Sequence, residues 1–105
     1  MLKDDSSLLK LSEHTSSFLD SLKFHKLKKL STLNLRENSL DYLPFNLTKL
    51  NKIEYLNLNK NSIEKTPNNL DGFSRLKYLD LRNNFFDKTE KERINSISTE
   101  TEILF

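Results

Sequence analysis

The sequence predicts an α/β fold, a short right-handed solenoid with a parallel sheet on one side and short helical segments on the other. Three observations predict it. Between residues 30 and 90 the chain repeats itself at a constant interval of 23 residues. Each copy carries two leucines in Leu-x-Leu alternation, beginning at Leu33, Leu56 and Leu79. An asparagine then follows at the same place in every copy.

The alternating leucines predict one short strand in each repeat. Successive residues of a strand point to opposite faces, so Leu33 and Leu35 face one side while Asn34 and Arg36 face the other. A single strand of this kind cannot bury its leucines, but stacked repeats form a continuous core. Because every strand lies at the same place in its turn, neighbouring strands are expected to run parallel, about 4.8 Å apart.

The repeated asparagines are expected to form a structural ladder inside the coil. After each strand the chain turns inward and leaves backbone groups in need of partners. An inward asparagine offers a donor and an acceptor to those groups. We therefore assign a structural role, and no binding role, to Asn38, Asn61 and Asn84.

The full pattern, L-x-x-L-x-L-x-x-N-x-L, is that of a leucine-rich repeat. We expect residues 1–105 to form a single domain of that architecture, with the sheet on the concave side and helical or 3₁₀ segments on the convex side. Its predicted parts are a degenerate N-terminal cap repeat (1–29), three repeats (30–52, 53–75 and 76–88), and a C-terminal capping helix and strand (89–105).

The N-terminal cap carries a weaker form of the same pattern. Leu9 and Leu11 reproduce the alternation and predict a strand near residues 8–11, while His14 stands at the ladder position. We interpret His14 as a hydrogen-bonding substitute for asparagine; a role as a ligand or pH-sensitive group is the other interpretation. A short helix capped by a serine is expected over residues 16–23. Its core-facing side chains are predicted to be Phe18, Leu19 and Leu22.

Residues 23–29 contain the densest positive charge, from Lys23, Lys26, Lys28 and Lys29. One interpretation is a site for phosphate or for an acidic partner. The other is a solvated outer turn. Because Phe24 and Leu27 fall at core positions of the repeat, the register favours the solvated turn.

The later repeats have short outer connections. Pro44 and Pro67 begin them at the same register, where proline tolerates a first helical turn. So few residues predict a helical turn or a 3₁₀ stretch at most.

The chain is predicted to end in a helix followed by a strand. Thr89 and Glu92 fit a capping box that opens a helix over residues 89–97. Ile94 and Ile97 would face the core, and residues 102–105 would add a closing strand. Such an ending covers the last apolar face and the sheet edge.

Composition narrows the function classes. Charged residues make up 30% of the 105 residues, yet the net charge is only +2, which gives weak support for nucleic acid or an anionic membrane as partner. The absence of cysteine excludes disulfide-bonded caps and fits a reducing compartment. The N-terminus has neither signal-peptide nor membrane-span character. These features favour the cytoplasm.

No constellation for catalysis, a cofactor or a metal is visible. The two histidines, His14 and His25, have no further histidine or cysteine at metal-ligand spacing. No serine lies in a nucleophile motif. Gly72 is the only glycine, and a phosphate-cradling loop requires several. We expect the protein to be non-enzymatic.

The candidate functional surface is the concave side of the sheet, here called the open face. Its members are the outward residues of the strands and the residues just after them: Thr32, Asn34, Arg36, Tyr55, Asn57, Asn59, Tyr78, Asp80 and Arg82. Tyrosine and arginine are enriched among residues that dominate interface energies. Neighbouring tyrosines also stabilise a sheet, by roughly 0.2–1 kcal/mol. Both roles stay open for Tyr55 and Tyr78.

The 23-residue spacing, the steps Leu43-Pro44 and Thr66-Pro67, and the ending NNFFDKTEKERINSISTETEILF resemble bacterial leucine-rich-repeat proteins of the leptospiral type. The resemblance covers residues 30–105, and it is weaker before them. It implies recognition of other proteins on the concave face, host proteins among them, and a secreted or surface-exposed location as the alternative to the cytoplasm. Departures are the small number of repeats, His14 in the ladder, and Thr66 where leucine is usual.

We therefore expect a protein-interaction module, most simply a monomer, with self-association through a sheet edge as a further hypothesis. The alternative is binding of nucleic acid or an anionic surface through residues 23–29.

Overall fold

A computed structural model describes residues 8–10, 16–20, 27, 29–43, 47, 50–66, 73–97 and 100–105. Five strands and two helices occur in these ranges. The strands are β1 (Leu8–Lys10), β2 (Thr32–Asn34), β3 (Tyr55–Asn57), β4 (Tyr78–Asp80) and β5 (Glu102–Leu104). The helices are α1 (Ser16–Asp20) and α2 (Lys88–Ile97).

The strands form one sheet in the order β1-β2-β3-β4-β5, and every neighbouring pair is parallel. In this register the leucines of neighbouring strands are paired: Leu9 with Leu33, Leu33 with Leu56, and Leu56 with Leu79. The 23-residue interval explains the register of β2, β3 and β4, and the 24-residue interval from Leu9 to Leu33 shows that the N-terminal repeat is one residue longer. The predicted leucine-rich-repeat solenoid and its parallel sheet are confirmed.

The leucines predicted to face inward form the core. Leu33, Leu56 and Leu79 are at most 1% exposed, and the second leucine of each pair is equally buried. Each fully buried leucine contributes about 1.5–3 kcal/mol relative to an exposed one. Outer connections add Leu47, Leu50 and Phe73 from the opposite side. The strands therefore bury one face and leave the other open.

Where the structure describes them, the outer connections are single 3₁₀-type turns. The Leu50 N–H donates to the Leu47 carbonyl at 3.1 Å, and the Leu76 N–H donates to the Phe73 carbonyl at 3.1 Å. This agrees with the prediction that these segments are too short for longer helices. Pro44, Pro67 and Gly72 lie outside the described residues.

The ladder asparagines tie consecutive turns together through the backbone. The Asn61 Nδ2 donates to the carbonyls of Leu58, in its own repeat, and of Leu35, in the preceding one, at 3.0 Å each. Its Oδ1 accepts from the Leu40 N–H at 3.1 Å. Asn84 repeats this arrangement one turn later, with Leu81, Leu58 and Ile63 as its partners. Each amide thus satisfies backbone groups that have no strand partner.

Each repeat leaves its strand through a left-handed residue. The φ angles of Glu37, Lys60 and Asn83 are 57°, 60° and 59°. For a residue with a Cβ, this conformation costs about 1–2 kcal/mol. The neighbouring repeat offsets the cost, since the Glu37 N–H donates to the Asn59 carbonyl and the Lys60 N–H donates to the Arg82 carbonyl.

At the N-terminal end the prediction was partly wrong. The strand near residues 8–11 is observed as β1, and Leu19 of α1 is buried, but Phe18 is 41% exposed. Phe18 and Leu19 are adjacent and therefore about 100° apart around the helix, and α1 directs Leu19 into the core and Phe18 toward its edge. Ser16 docks the helix: its Oγ donates to the Tyr42 carbonyl at 2.6 Å. His14, Leu22 and most of the basic 23–29 segment lie outside the described residues.

The helix α2 begins earlier than predicted. Its N-cap is Asp87, whose Oδ1 accepts from the Glu90 N–H at 2.8 Å, so the capping box of Thr89 and Glu92 is wrong. An aspartate is a strong N-cap, and its position adds one residue to the helix. Ile94 is buried as predicted, whereas the side chain of Ile97 is outside the description.

The closing strand is present and slightly shorter than predicted. β5 ends at Leu104, and Phe105 instead packs edge-on against Phe86, with ring centroids 6.2 Å apart. Lys91 of α2 lies over the same Phe105 ring, 5.8 Å from its centroid. Helix and strand together cover the last repeat.

Candidate functional site

Parallel register brings the open-face residues into columns that cross the strands. One column contains Thr32, Tyr55 and Tyr78, and the next contains Asn34, Asn57 and Asp80. In the backbone register, Leu8 and Lys10 of β1 pair with Thr32 and Asn34. On β5 the columns end at Glu102 and Leu104.

The two tyrosines form the largest aromatic feature of the open face. Their ring centroids are 6.3 Å apart and the rings are tilted by 42°. Tyr55 is 48% exposed, and Tyr78 is half-buried between it and β5. A tilted aromatic pair adds about 0.5–1.5 kcal/mol beyond the area that it buries. The pair therefore stabilises the sheet and also presents a large, rigid group to solvent.

Asn34, Asn57 and Asp80 share a structural task that the sequence analysis missed. In each, a side-chain oxygen accepts from the backbone N–H two residues later: that of Arg36 at 3.0 Å, of Asn59 at 3.0 Å and of Arg82 at 3.1 Å. This is the Asx-turn geometry, which bends the chain out of the strand. The signal was present, since an asparagine or aspartate recurs at this register in all three repeats.

Two residues predicted to face solvent are buried, which corrects their assignment to a contact surface. Asn59 is 7% exposed and Asp80 is 3% exposed. The Asn59 Nδ2 donates to the Asp80 Oδ2 at 3.3 Å, and its Oδ1 accepts from Asn83 at 2.9 Å. Arg82 and Asn83, at the exit of β4, supply contacts that cover this position, whereas Arg36, at the register of Asn59 one repeat earlier, is exposed. Simple alternation does not anticipate these contacts.

Arg82 holds the buried carboxylate in a two-pronged contact. Its Nε donates to Asp80 Oδ1 at 3.0 Å and its Nη2 donates to Oδ2 at 2.8 Å. Bidentate pairs of this kind are stronger and more directional than single contacts. The rest of the guanidinium stays in solvent, with the side chain 49% exposed.

The remaining charges at the strand exits form loose surface pairs. Glu37 Oε1 lies 3.5 Å from the Arg36 guanidinium and 3.4 Å from Lys60 Nζ. All three side chains are about half exposed. Such pairs contribute about 0–1 kcal/mol, so these charges are free to exchange partners.

A second charged cluster joins α2 to the repeat that precedes it. Glu90, which is buried, accepts from the Thr66 N–H at 3.0 Å through its Oε2. Arg93 donates to the same carboxylate, to the Thr66 carbonyl at 2.9 Å and to the Thr66 hydroxyl at 2.9 Å. Threonine at position 66 therefore provides a polar anchor where the repeat pattern has leucine.

The pKa values of both buried carboxylates lie below their ordinary values. Burial raises the pKa of Asp80, but hydrogen bonds from the Arg82 side chain and backbone and from Asn59, with the Arg82 charge, outweigh it. The hydrogen bond from Arg93 lowers the pKa of Glu90, against the effect of burial, helped by the Thr66 N–H and nearby positive charge. Both groups are charged in the folded protein at neutral pH.

Acid is expected to destabilise the fold through these two groups. A carboxylate whose pKa is lower in the folded than in the unfolded state contributes stability above its unfolded value, and that contribution is lost as the pH falls through the folded value. The free energy of unfolding should therefore decline below the ordinary values of 4.5 for glutamate and 3.8 for aspartate. Urea unfolding across pH 6 to about 3 measures it. The double variant Asp80→Asn, Glu90→Gln should give a shallower decline; an unchanged slope would contradict the assignment.

Metal and membrane features are absent from the described part of the chain. Within those residues, no group of three or more histidine, cysteine or acidic side chains is placed to hold a metal ion. Neither described helix is long and apolar enough to cross a membrane.

Comparisons with known proteins agree with this architecture. Residues 75–99 match the Leucine Rich Repeat family. The solved structure of a leucine-rich-repeat protein from Leptospira interrogans is similar, with a TM-score of 0.74 and 33% sequence identity over 78% of this chain. The similarity covers 21% of the leptospiral chain, so this chain spans about a fifth of that length. A search of curated proteins found no match. Repeat pattern, parallel register and these similarities identify the chain as a leucine-rich-repeat protein resembling the one from Leptospira.

Proposed function

We propose that the protein is a non-enzymatic interaction module that binds a protein partner through the open face. Leucine-rich repeats generally mediate contacts between proteins. The observation that carries the proposal is the Tyr55–Tyr78 pair. It places a half-exposed aromatic ring at the centre of a sheet face that no described element covers.

The chemistry of the face supports this role. Burying a tyrosine ring at an interface costs little side-chain entropy, because the ring has few rotatable bonds, and its hydroxyl still finds a polar partner. Arg36 and Arg82 lie beyond the ends of β2 and β4, and their side chains are about half exposed. Aromatic centre and charged rim together are the usual layout of a protein-binding patch.

The partner set includes host proteins, as the resemblance to the leptospiral class implies. The alternative assigned to residues 23–29 rests on sequence alone, since only Leu27 and Lys29 of that segment are described. A salt titration separates the two, because phosphate contacts make affinity fall steeply with salt.

The hypotheses of a monomer and of association through a sheet edge remain predictions, and sedimentation analysis tests them.

Tyr55→Ala is expected to weaken partner binding by about tenfold or more, since truncating a central interface aromatic typically costs about 2 kcal/mol. The test is affinity capture from bacterial and animal cell extracts with the wild-type protein, followed by titration of the captured protein against each variant. Tyr42→Ala is the matched control. Tyr42 is 43% exposed, close to the 48% of Tyr55, but lies well past the end of β2.

Partners retained by Tyr42→Ala and lost by Tyr55→Ala support the open face. If both Tyr55→Ala and the Tyr55→Ala, Tyr78→Ala double variant bind the partner as tightly as the wild type does, the proposal is refuted. Circular dichroism of each variant verifies that the sheet is intact.

A further inference from the structure

Hydrogen-bond acceptors at the strand exits of the open face are already used inside the protein. The Oδ1 atoms of Asn34 and Asn57 each accept a backbone N–H. Both carboxylate oxygens of Asp80 accept from Arg82, and one also accepts from Asn59. Glu37 Oε1 is shared by Arg36 and Lys60. Because these oxygens already accept hydrogen bonds within the protein, the surface has few acceptors available to a partner.

Donors at the same place are in surplus. A guanidinium has five N–H donors and an ammonium has three. Arg82 directs its Nε and Nη2 to Asp80, so its Nη1 group stays available, and Lys60 has one contact at 3.4 Å. In the part of the chain that the structure describes, the Nδ2 groups of Asn34 and Asn57 donate to no protein group.

These donors lie along one line. Asn34 and Asn57 are register partners on β2 and β3, and the exits of β2, β3 and β4 carry Arg36, Lys60 and Arg82, respectively. We call this set the donor edge: Asn34, Asn57, Arg36, Lys60 and Arg82. It borders the Tyr55–Tyr78 pair on the same face.

We propose that the donor edge recognises the carboxylates of an acidic polypeptide segment whose apolar side chains pack on the tyrosine pair. This deepens the proposed function and rests on it. Carboxylates are acceptors only, so they complement a surface that has spare donors and few spare acceptors. Guanidinium groups bind them in two-pronged contacts, as Arg82 already does with Asp80.

A polypeptide fits this surface better than a nucleic acid. Glu37 is 59% exposed beside Arg36, and Glu102 ends the tyrosine column on β5. A phosphate backbone carries one negative charge per nucleotide, about every 3.4 Å along a strand, and would meet these acidic groups. Spaced carboxylates on a peptide avoid them.

Selection from a phage-displayed library of random linear peptides on the immobilised wild-type protein tests the proposal. We expect the enriched peptides to contain more aspartate and glutamate than the unselected library. For an enriched peptide, the double variant Arg36→Gln, Lys60→Gln should bind about tenfold more weakly. The control variant Lys52→Gln, Arg75→Gln removes the same charges from two exposed turn positions that precede β3 and β4, and should bind as wild type.

Each outcome distinguishes this inference from the function on which it rests. Enriched peptides that need Tyr55 but carry no excess of acidic residues would overturn the carboxylate assignment and leave the open-face proposal standing. Peptides whose binding is indifferent to Tyr55→Ala would contradict the open-face proposal itself. Equal weakening by the control variant would mean that only net charge matters. Displacement of the peptide by an oligonucleotide, or failure to enrich any peptide, would also count against the inference.

Discussion

Asn61→Ala is expected to lower the free energy of unfolding by about 3–5 kcal/mol, the largest effect of any substitution outside the hydrophobic core. The side chain is 6% exposed and bonds the carbonyls of Leu35 and Leu58 and the N–H of Leu40. Alanine leaves these buried backbone groups without partners, at about 1–3 kcal/mol each. Since a domain of this size is stable by about 5–15 kcal/mol, much of the stability would be lost.

Urea unfolding measures this effect, with Asn51→Ala as the matched control. Asn51 is an exposed asparagine in the turn before Ile53, and its replacement should change the free energy of unfolding by no more than about 0.5 kcal/mol. A loss below about 1 kcal/mol for Asn61→Ala would indicate that water replaces the amide. The ladder would then not hold the turns together.

Arg93→Ala is expected to cost about 3 kcal/mol by releasing the C-terminal cap. Arg93 neutralises the buried Glu90, and the two side chains together contact the N–H, the carbonyl and the hydroxyl of Thr66. Removing one partner of a buried pair leaves an uncompensated charge, which is the costly case. The effect should concentrate in α2, whose amide hydrogens are expected to exchange faster with solvent.

A double-mutant cycle with Glu90→Gln isolates the pair. We expect a coupling free energy of about 1–3 kcal/mol between the two positions, because they share one hydrogen-bonded network. Arg75→Ala, at an exposed turn position, serves as the control for loss of an arginine. Additive effects of Arg93→Ala and Glu90→Gln would show that the two side chains act independently, contrary to the geometry.

The repeat interval and the leucine alternation were sufficient to predict the parallel sheet, the register of β2, β3 and β4 and the buried leucines of these strands. Each is a consequence of local periodicity: a strand alternates its faces, and a constant interval returns each of these three strands to the same position. The ladder asparagines were recognisable for the same reason, because the backbone of each turn presents the same groups to them.

Other features required the packed chain. Alternation placed Asn59 and Asp80 in solvent, but their mutual contact and the contacts from Arg82 and Asn83 bury them. Asp87 and Thr89 were both able to cap α2 by residue type, but the folded chain brings the Asp87 carboxylate to the Glu90 N–H, so Asp87 is the N-cap. The partnership of Thr66 with Arg93 joins residues 27 apart in sequence, so no local pattern could indicate it.

The amino-acid sequence alone therefore specified the solenoid, its core and the side of the sheet that faces outward, because periodicity is a local property repeated along the chain. Tertiary structure specified which outward polar groups remain available to a partner. Whether a group is available depends on contacts made in the folded chain. The Asp80 carboxylate is already hydrogen-bonded to Arg82, whereas the Tyr55 ring and the remaining arginine donors stay exposed.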